Sequence, residues 1–218
     1  MTDCELFSHV DHTLLKADST PQQIRVLCDE AVRFGTASVC VNGCYVPLAA
    51  DCLKGTPVKV CAVIGFPLGA ISTAAKVFEA RDAVAAGAEE IDMVINIGRL
   101  KAGDTAYVLE EIRAVKAAIG TRVLKVIIET CLLTEEEKIT MCRLVTESGA
   151  DFIKTSTGFS TGGATFDDVR LFAAHVGPGV QIKAAGGIRT REDMEEFLRL
   201  GATRLGTSSA VKILTGGR

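Results

Sequence analysis

The sequence predicts a closed barrel of eight parallel strands with helices between them, a (β/α)8 fold in a single domain over residues 1–218. Eight short runs rich in β-branched residues recur along the chain, and longer stretches of helical composition separate them. This alternation indicates βαβ units in a parallel sheet. A length of 218 residues lies at the small end of the range for such barrels. A doubly wound open sheet is the alternative, although no G-x-G-x-x-G turn follows the first run.

The predicted strands are separated by segments that have recognisable helix ends. Thr134 stands before three glutamates and is a predicted N-cap, and Gly149 ends the same helix. Further helices are predicted over 72–88 and 191–202. The strands are predicted at 9–13, 37–42, 57–66, 90–96, 122–130, 151–157, 180–187 and 203–209.

Composition excludes several classes of function. A formal net charge of −3 offers no basic surface for nucleic acid or an anionic membrane, and the absence of tryptophan argues against base stacking. No run is long enough to span a membrane. The eight cysteines include no Cys-x-x-Cys pair, so we expect reduced thiols and no metal site. The N-terminal residues resemble no secretory signal, and a cytoplasmic location is expected.

The period of two in the strands places charged residues inside the barrel. In EIDMVIN, Ile91, Met93 and Ile95 form an apolar face that packs outward, which turns Asp92 inward. The same alternation turns one lysine inward on each of the three following strands, namely Lys125, Lys154 and Lys183. It also directs toward the barrel axis Asp11, Thr13, Cys40 and Asn42. An inert ion pair, or a strand register wrong by one residue, is the structural alternative.

Three inward lysines beside a carboxylate suit imine chemistry. Burial and a second ammonium both disfavour a charged lysine, and the free amine then attacks a carbonyl. A neighbouring carboxylate moves protons as the imine forms, and the protonated imine accepts electrons from a breaking carbon–carbon bond. This chemistry needs no cofactor, and we expect none.

The last two predicted strands end in segments suited to an anion. KAAGGIRT (183–190) and RLGTSSA (204–210) follow the seventh and eighth strands, where such barrels often bind phosphate. Backbone N–H groups of Gly186, Gly187, Ser208 and Ser209 are the predicted donors. Glycines that serve only to form tight turns are the alternative.

These segments together resemble the deoxyribose-phosphate aldolase family of class I aldolases. The resemblance lies in FIKTSTGF (152–159), EIDMVINIG (90–98), LKVIIET (124–130), IKAAGGIRT (182–190) and LGTSSA (205–210). It extends from Asp11 to Ser209, nearly the whole chain. It implies a cofactor-free TIM barrel that reversibly cleaves 2-deoxy-D-ribose 5-phosphate to D-glyceraldehyde 3-phosphate and acetaldehyde during deoxynucleoside breakdown. It also implies a homodimer or a higher homo-oligomer.

The resemblance assigns a role to each matching position. Lys154 forms the imine, Lys183 is the neighbouring ammonium that favours its free amine, and Asp92 transfers protons. Lys125 holds Asp92 or tunes its charge. The sugar end of the pocket is lined by Asp11, Thr13, Cys40 and Asn42. The phosphate is surrounded by Thr155, Gly158, Gly186, Gly187, Ser208 and Ser209, and Gly206 lets the backbone approach closely.

The chain departs from the family pattern at one position, and two other functions remain as alternatives. Some family members have a lysine after the TSTG segment, where this chain has Phe159, so less cationic help for phosphate is expected. A phosphate-binding isomerase or epimerase would use the carboxylate and a lysine as acid and base without an imine. A non-catalytic sensor of a phosphorylated ligand would bind without turnover.

Overall fold

A computed structural model describes residues 1–216, in which eight parallel strands form a closed barrel in the order β1 to β8. The predicted barrel is confirmed, and the open sheet is ruled out because β8 pairs with β1. Residues 217–218 of the predicted domain lie outside the described part. The strands are β1 (Val10–Leu14), β2 (Ser38–Asn42), β3 (Lys59–Ile64), β4 (Glu90–Val94), β5 (Val123–Ile127), β6 (Phe152–Lys154), β7 (Gln181–Ala185) and β8 (Arg204–Thr207).

The helices begin and end where local sequence rules place them. Thr134 caps α7 in a capping box with Glu137, and Gly149 ends that helix in the left-handed conformation, as predicted. Ser72 likewise caps α4. The helices are α1 (Asp3–Ser8), α2 (Pro21–Phe34), α3 (Val46–Leu53), α4 (Thr73–Ala85), α5 (Ile97–Lys101), α6 (Thr105–Ile119), α7 (Glu135–Ser148), α8 (Phe166–His175), α9 (Arg191–Arg199) and α10 (Ala210–Thr215).

Alternate residues of each strand belong to two different packing layers. The outward side chains, including Ile91, Met93, Leu124 and Val126, join the large apolar core between the barrel and the helices. The inward side chains form a separate layer, which includes a small apolar cluster of Leu15, Cys40, Cys61 and Val63. The same layer contains the buried charged residues Asp92, Lys125, Lys154 and Lys183, as the period of two predicted.

Strand register brings the inward charged residues to neighbouring strands. Asp92 pairs laterally with Lys125 across β4 and β5, and Lys154 pairs with Lys183 across β6 and β7. Four successive strands thus direct one charged side chain each toward a common point.

None of the helices within residues 1–216 is long and apolar enough to cross a membrane.

Candidate active site

Asp92 lies at the centre of a buried charge cluster. Its Oδ2 accepts hydrogen bonds from Lys154 Nζ and Lys183 Nζ, both at 2.7 Å. Its Oδ1 accepts from Lys125 Nζ at 2.9 Å and from the Cys61 thiol at 3.1 Å. The structure therefore brings together all four residues that the sequence predicted to be catalytic.

A second layer of ion pairs surrounds two of these lysines. Lys125 Nζ lies 2.6 Å from a Glu90 carboxylate oxygen, and Lys183 Nζ contacts Asp11. Arg204 closes the network, with Nη1 at 2.5 Å from Asp11 and 3.1 Å from Glu90. Sequence reasoning missed Glu90 and Arg204. Glu90 has the same inward parity as Asp92, so the alternation already contained this information, whereas Arg204 begins a strand of only four residues in which the alternation is weak.

The pKa of Asp92 is set by its three lysine neighbours. Burial by itself raises the pKa of this carboxyl, but Lys125, Lys154 and Lys183 outweigh burial and hold it well below its usual range. Burial also raises the pKa of Asp11, but Lys183, Lys125 and Arg204 outweigh it and leave that pKa lowered. Both carboxyl groups are therefore ionised at neutral pH.

Lys125 and Lys183 are fixed as ammonium groups by the reciprocal effect. Burial lowers the pKa of Lys183, but Asp11 and Asp92 outweigh it and raise the pKa above its ordinary value. Burial also lowers the pKa of Lys125, but Asp92, with further contributions from Cys61, Asp11 and Glu90, outweighs burial and raises it. Two of the three lysines thus stay charged beside the third.

A cavity of about 510 Å³ opens above this cluster, at the C-terminal ends of the strands. Of the cluster lysines only Lys154 lines it, since Lys125 and Lys183 are completely buried. Small ligands bind at this end of (β/α)8 barrels. Lys154 is therefore the cluster lysine that a small molecule in the cavity can reach.

Most of the predicted binding residues line the same cavity. They are Thr13, Gly158, Gly186, Gly187, Gly206, Ser208 and Ser209. At Gly206 a Cβ would lie 2.9 Å from the Cβ of Ala185 and 3.0 Å from Cε of Lys183. Glycine at this position therefore lets β8 pack directly against the buried lysine, and the close approach of its backbone to a phosphate stays a prediction.

Asp11 and Cys40 lie away from the cavity wall on which they were expected. Asp11 is two residues before Thr13 on β1, completely buried, and accepts a hydrogen bond from Ser38 at 2.6 Å. Its carboxylate therefore belongs to the ion network below the cavity. Cys40 is also completely buried and packs in the interior apolar cluster with Leu15.

Asn42 and Thr155 also differ from their expected positions and support the wall from behind. The Asn42 amide donates to the carbonyl of Leu15 at 3.3 Å, and Leu15 lines the cavity. The Thr155 hydroxyl both donates to the carbonyl of Ala185 and accepts its N–H, at 3.2 and 3.1 Å. Thr155 thus joins the end of β6 to β7, because its side chain follows the outward parity of Ile153.

Three side chains at the cavity rim were not predicted as binding residues. Lys16 and Arg189 are both exposed, line the cavity, and form no ion pair within residues 1–216. Phe159 also lines it and packs edge-on against Phe66, with ring centroids 5.2 Å apart. The two cations lie in loops, where residue parity gives no information about direction.

The donor set closest to a metal site among the described residues is Cys40, Cys61 and Asp92, whose ligand atoms lie within 4.8 Å of one another. Burial raises the pKa of Cys61, so its protonated thiol donates to Asp92. The ammonium groups of Lys125 and Lys183 contact the same carboxylate and repel a metal cation. These residues are therefore better suited to orienting the Asp92 carboxylate than to binding a metal ion.

Comparison with known proteins decides the family. A profile of the DeoC/LacD family of aldolases matches residues 6–212. The chain is 54% identical over 216 residues to deoxyribose-phosphate aldolase of Clostridium botulinum (strain Eklund 17B / Type B), covering 99% of this chain and 97% of that protein. The chain belongs to the deoxyribose-phosphate aldolase family. The resemblance inferred from the sequence is therefore confirmed, and the acid–base isomerase and the sensor are disfavoured.

Further relatives of this aldolase agree in sequence and in fold. The Clostridioides difficile (strain 630) deoxyribose-phosphate aldolase is 58% identical over 205 residues, which cover 94% of this chain and 93% of that protein. The tetrameric structure of deoxyribose phosphate aldolase from Aeropyrum pernix superposes with a TM-score of 0.90 at 33% identity, covering 99% of this chain and 92% of that one. The chain is thus an aldolase, a lyase of carbon–carbon bonds, on a (β/α)8 barrel.

Proposed function

We propose that Lys154 forms a Schiff base with 2-deoxy-D-ribose 5-phosphate and cleaves it reversibly to D-glyceraldehyde 3-phosphate and acetaldehyde. The observation that carries this assignment is that Lys154 alone among the cluster lysines lines the cavity while its Nζ lies 2.7 Å from Asp92. The amine, its charged neighbour Lys183 and a proton-transferring carboxylate then meet at one point. Covalent amine catalysis needs this combination.

Charge balance distinguishes Lys154 from the other two lysines of the cluster. The three carboxylates Asp11, Glu90 and Asp92 balance the three cations Lys125, Lys183 and Arg204. An ammonium on Lys154 adds one positive charge to this balanced set. Lys154 is therefore the lysine whose positive charge has no balancing carboxylate in the cluster, which fits its proposed role as the amine that attacks a carbonyl.

The reaction proceeds in four steps around this amine. Lys154 Nζ attacks the C1 aldehyde of the open-chain sugar, and the carbinolamine loses water to give a protonated imine. Removal of the proton from the C3 hydroxyl then breaks the C2–C3 bond, releases D-glyceraldehyde 3-phosphate and leaves an enamine. Protonation at C2 and hydrolysis free acetaldehyde and regenerate the amine. Asp92 Oδ2 is within hydrogen-bond distance of the reacting nitrogen and transfers these protons, relayed by water.

The phosphate binds at the opposite end of the cavity from β4. Gly186 and Gly187 follow β7, Ser208 and Ser209 follow β8, and all of them line the cavity. Their backbone N–H groups are the proposed donors. Lys16 and Arg189, which face the same cavity without an ionic partner in the described chain, supply cationic charge that Phe159 does not. Phosphate binding therefore combines backbone amides with two flexible cations at the rim.

We also propose a homodimer or a higher homo-oligomer that functions in the cytoplasm. The Aeropyrum pernix relative is tetrameric. Leu68 and Phe78, which are 75% and 71% exposed, are the apolar side chains proposed to contact a second copy. All eight cysteines are free, as expected in a reducing compartment. Sedimentation velocity of the purified protein tests the oligomer, and a single species at the monomer mass would contradict it.

The variant Lys154→Leu tests the proposed role directly. Because Asp92 keeps two lysine partners, the variant should fold, and we expect turnover of 2-deoxy-D-ribose 5-phosphate to fall by at least about 10⁴-fold. A coupled assay for D-glyceraldehyde 3-phosphate measures this. Lys54→Leu is the matched control and should keep wild-type turnover, because Lys54 is exposed in the loop between α3 and β3. Substantial turnover by folded Lys154→Leu would contradict the assignment.

A further inference from the structure

The loop after β5 contains an unusual backbone conformation. Glu129 has φ 56° and ψ 67°, and within residues 1–216 it is the only non-glycine residue with positive φ. Such a conformation is unfavourable for a residue with a Cβ and persists where the surroundings enforce it. The N–H of Ile128 bonds to Lys154 O at 3.1 Å, and that of Thr130 bonds to Thr155 O at 3.0 Å. The left-handed conformation of Glu129 thus lets the residues on either side of it bond to two successive carbonyls at the end of β6.

The side chain of Glu129 is directed at the segment that follows the imine lysine. It is only 2% exposed, and its carboxylate accepts the N–H of Thr157 at 3.2 Å and the hydroxyl of the same residue. Thr157 Oγ1 in turn accepts the N–H of Phe159 at 3.0 Å. No cation pairs with Glu129 among the ion pairs of the described residues. Because a buried carboxylate without a cation is costly, its hydrogen bonds to Thr157 indicate a specific structural task.

The segment 157–159 forms one wall of the cavity and touches the proposed phosphate site. Thr157, Gly158 and Phe159 all line the cavity. A Cβ on Gly186 would lie 3.4 Å from Cα of Gly158 and 3.2 Å from Cα of Gly163, so the loop after β6 packs directly on the turn after β7. A shift of a few tenths of an ångström in this segment therefore changes the space above Gly186.

We propose that Glu129 is a positioning residue for the phosphate end of the substrate. Glu129 does not line the cavity, so it acts through Thr157. Its carboxylate holds the segment 157–159 in the conformation that leaves room for the phosphate against Gly186 and Gly187. This inference rests on the proposed function, specifically on the phosphate binding at that turn.

The test compares two substrates that differ only in the phosphate. For Glu129→Ala we expect the ratio of kcat/KM for 2-deoxy-D-ribose 5-phosphate to kcat/KM for 2-deoxy-D-ribose to fall by about tenfold, mainly through a higher KM for the phosphorylated sugar. Thr157→Val, which loses the hydroxyl, should lower the same ratio. Glu129→Gln should recover most of it, because an amide can accept the Thr157 N–H and donate to its oxygen. Glu136→Ala removes an exposed glutamate of α7 and is the matched control.

The outcomes separate this inference from the phosphate site on which it rests. If folded Glu129→Ala loses efficiency equally on both sugars, Glu129 is merely structural and the inference is wrong. If Glu129→Ala does not fold, an unchanged ratio in Thr157→Val overturns the inference instead. The double variant Lys16→Ala, Arg189→Ala distinguishes the two claims. A lowered ratio there, with none in Glu129→Ala, preserves the phosphate site and rejects Glu129, whereas unchanged ratios in both reject the phosphate site as well.

Discussion

Lys154 and Lys183 have the same side chain and lie side by side on neighbouring strands, yet their surroundings give them different tasks. Lys183 is completely buried between Asp11 and Asp92, and both carboxylates fix it as an ammonium. Lys154 contacts only one of these carboxylates, Asp92, and lines the cavity. At the scale of single residues, function therefore follows from the number of carboxylates around each amine and from access to solvent.

Replacing Lys183 tests this division of tasks. In Lys183→Leu the Lys154 amine no longer has a cation beside it, so we expect kcat/KM to fall by about 10²-fold and its pH optimum to move to higher pH. The pH profile of kcat/KM measures both effects. An unshifted profile in a folded variant would show that the two ammonium groups are not coupled.

At the scale of secondary-structure elements, a buried ion pair holds the end of the strand that carries Asp92. Lys76 of α4 and Glu111 of α6 lie 2.9 Å apart and are completely buried. Lys76 also donates to the carbonyl of Val94 at 2.8 Å, and Glu111 accepts the N–H of Asn96 at 3.0 Å. The pair therefore connects two helices to the backbone immediately after β4.

Breaking this pair should destabilise the protein strongly. Lys76→Met leaves Glu111 buried without its cation, and we expect the free energy of unfolding to fall by about 3–5 kcal/mol. Lys59 and Glu89 form a matched pair that is about half exposed, and Lys59→Met should change it by no more than about 1 kcal/mol. Urea unfolding of both variants measures the difference. Equal effects would contradict the structural role of the buried pair.

The alternation of residues in the strands was sufficient to predict the fold and most of the charged cluster. It placed Asp92 and the three lysines correctly because a period of two is rigid within a strand that has one apolar face. It did not predict that the cavity ends above Asp11 while Thr13 lines it, because the depth of the cavity depends on how the side chains of all the strands pack inside the barrel. It also left out Lys16 and Arg189, whose directions are set by loop conformation.

At the scale of the whole molecule, the charge cluster joins strands from all sides of the barrel and couples folding to pH. The pKa values of Asp11 and Asp92 are lowered in the folded state, so their contribution to stability is present above the ordinary carboxyl range and is lost as pH falls below it. The pKa values of Lys125 and Lys183 are raised, so their contribution is complete below the ordinary lysine range and is lost only at still higher pH.

The cluster therefore predicts a broad plateau of stability. Its contribution to the free energy of unfolding should be constant between about pH 5 and pH 9 and should decline below about pH 4, where the carboxyl groups of the unfolded chain take up protons. Denaturant unfolding across this range measures it. Asp11→Asn should show a weaker acid decline than the wild type. A decline in the same range that is equally steep in Asp11→Asn would show that other carboxyl groups govern it.

The most direct test of imine chemistry at Lys154 is intact mass after borohydride reduction in the presence of acetaldehyde, followed by peptide mapping. Reduction of an imine with acetaldehyde leaves an ethyl group on the amine that formed it. We expect one such adduct, on the peptide that contains Lys154, and none in Lys154→Leu. An unmodified mass in the folded protein, or an adduct on Lys125 or Lys183 instead, would contradict this expectation.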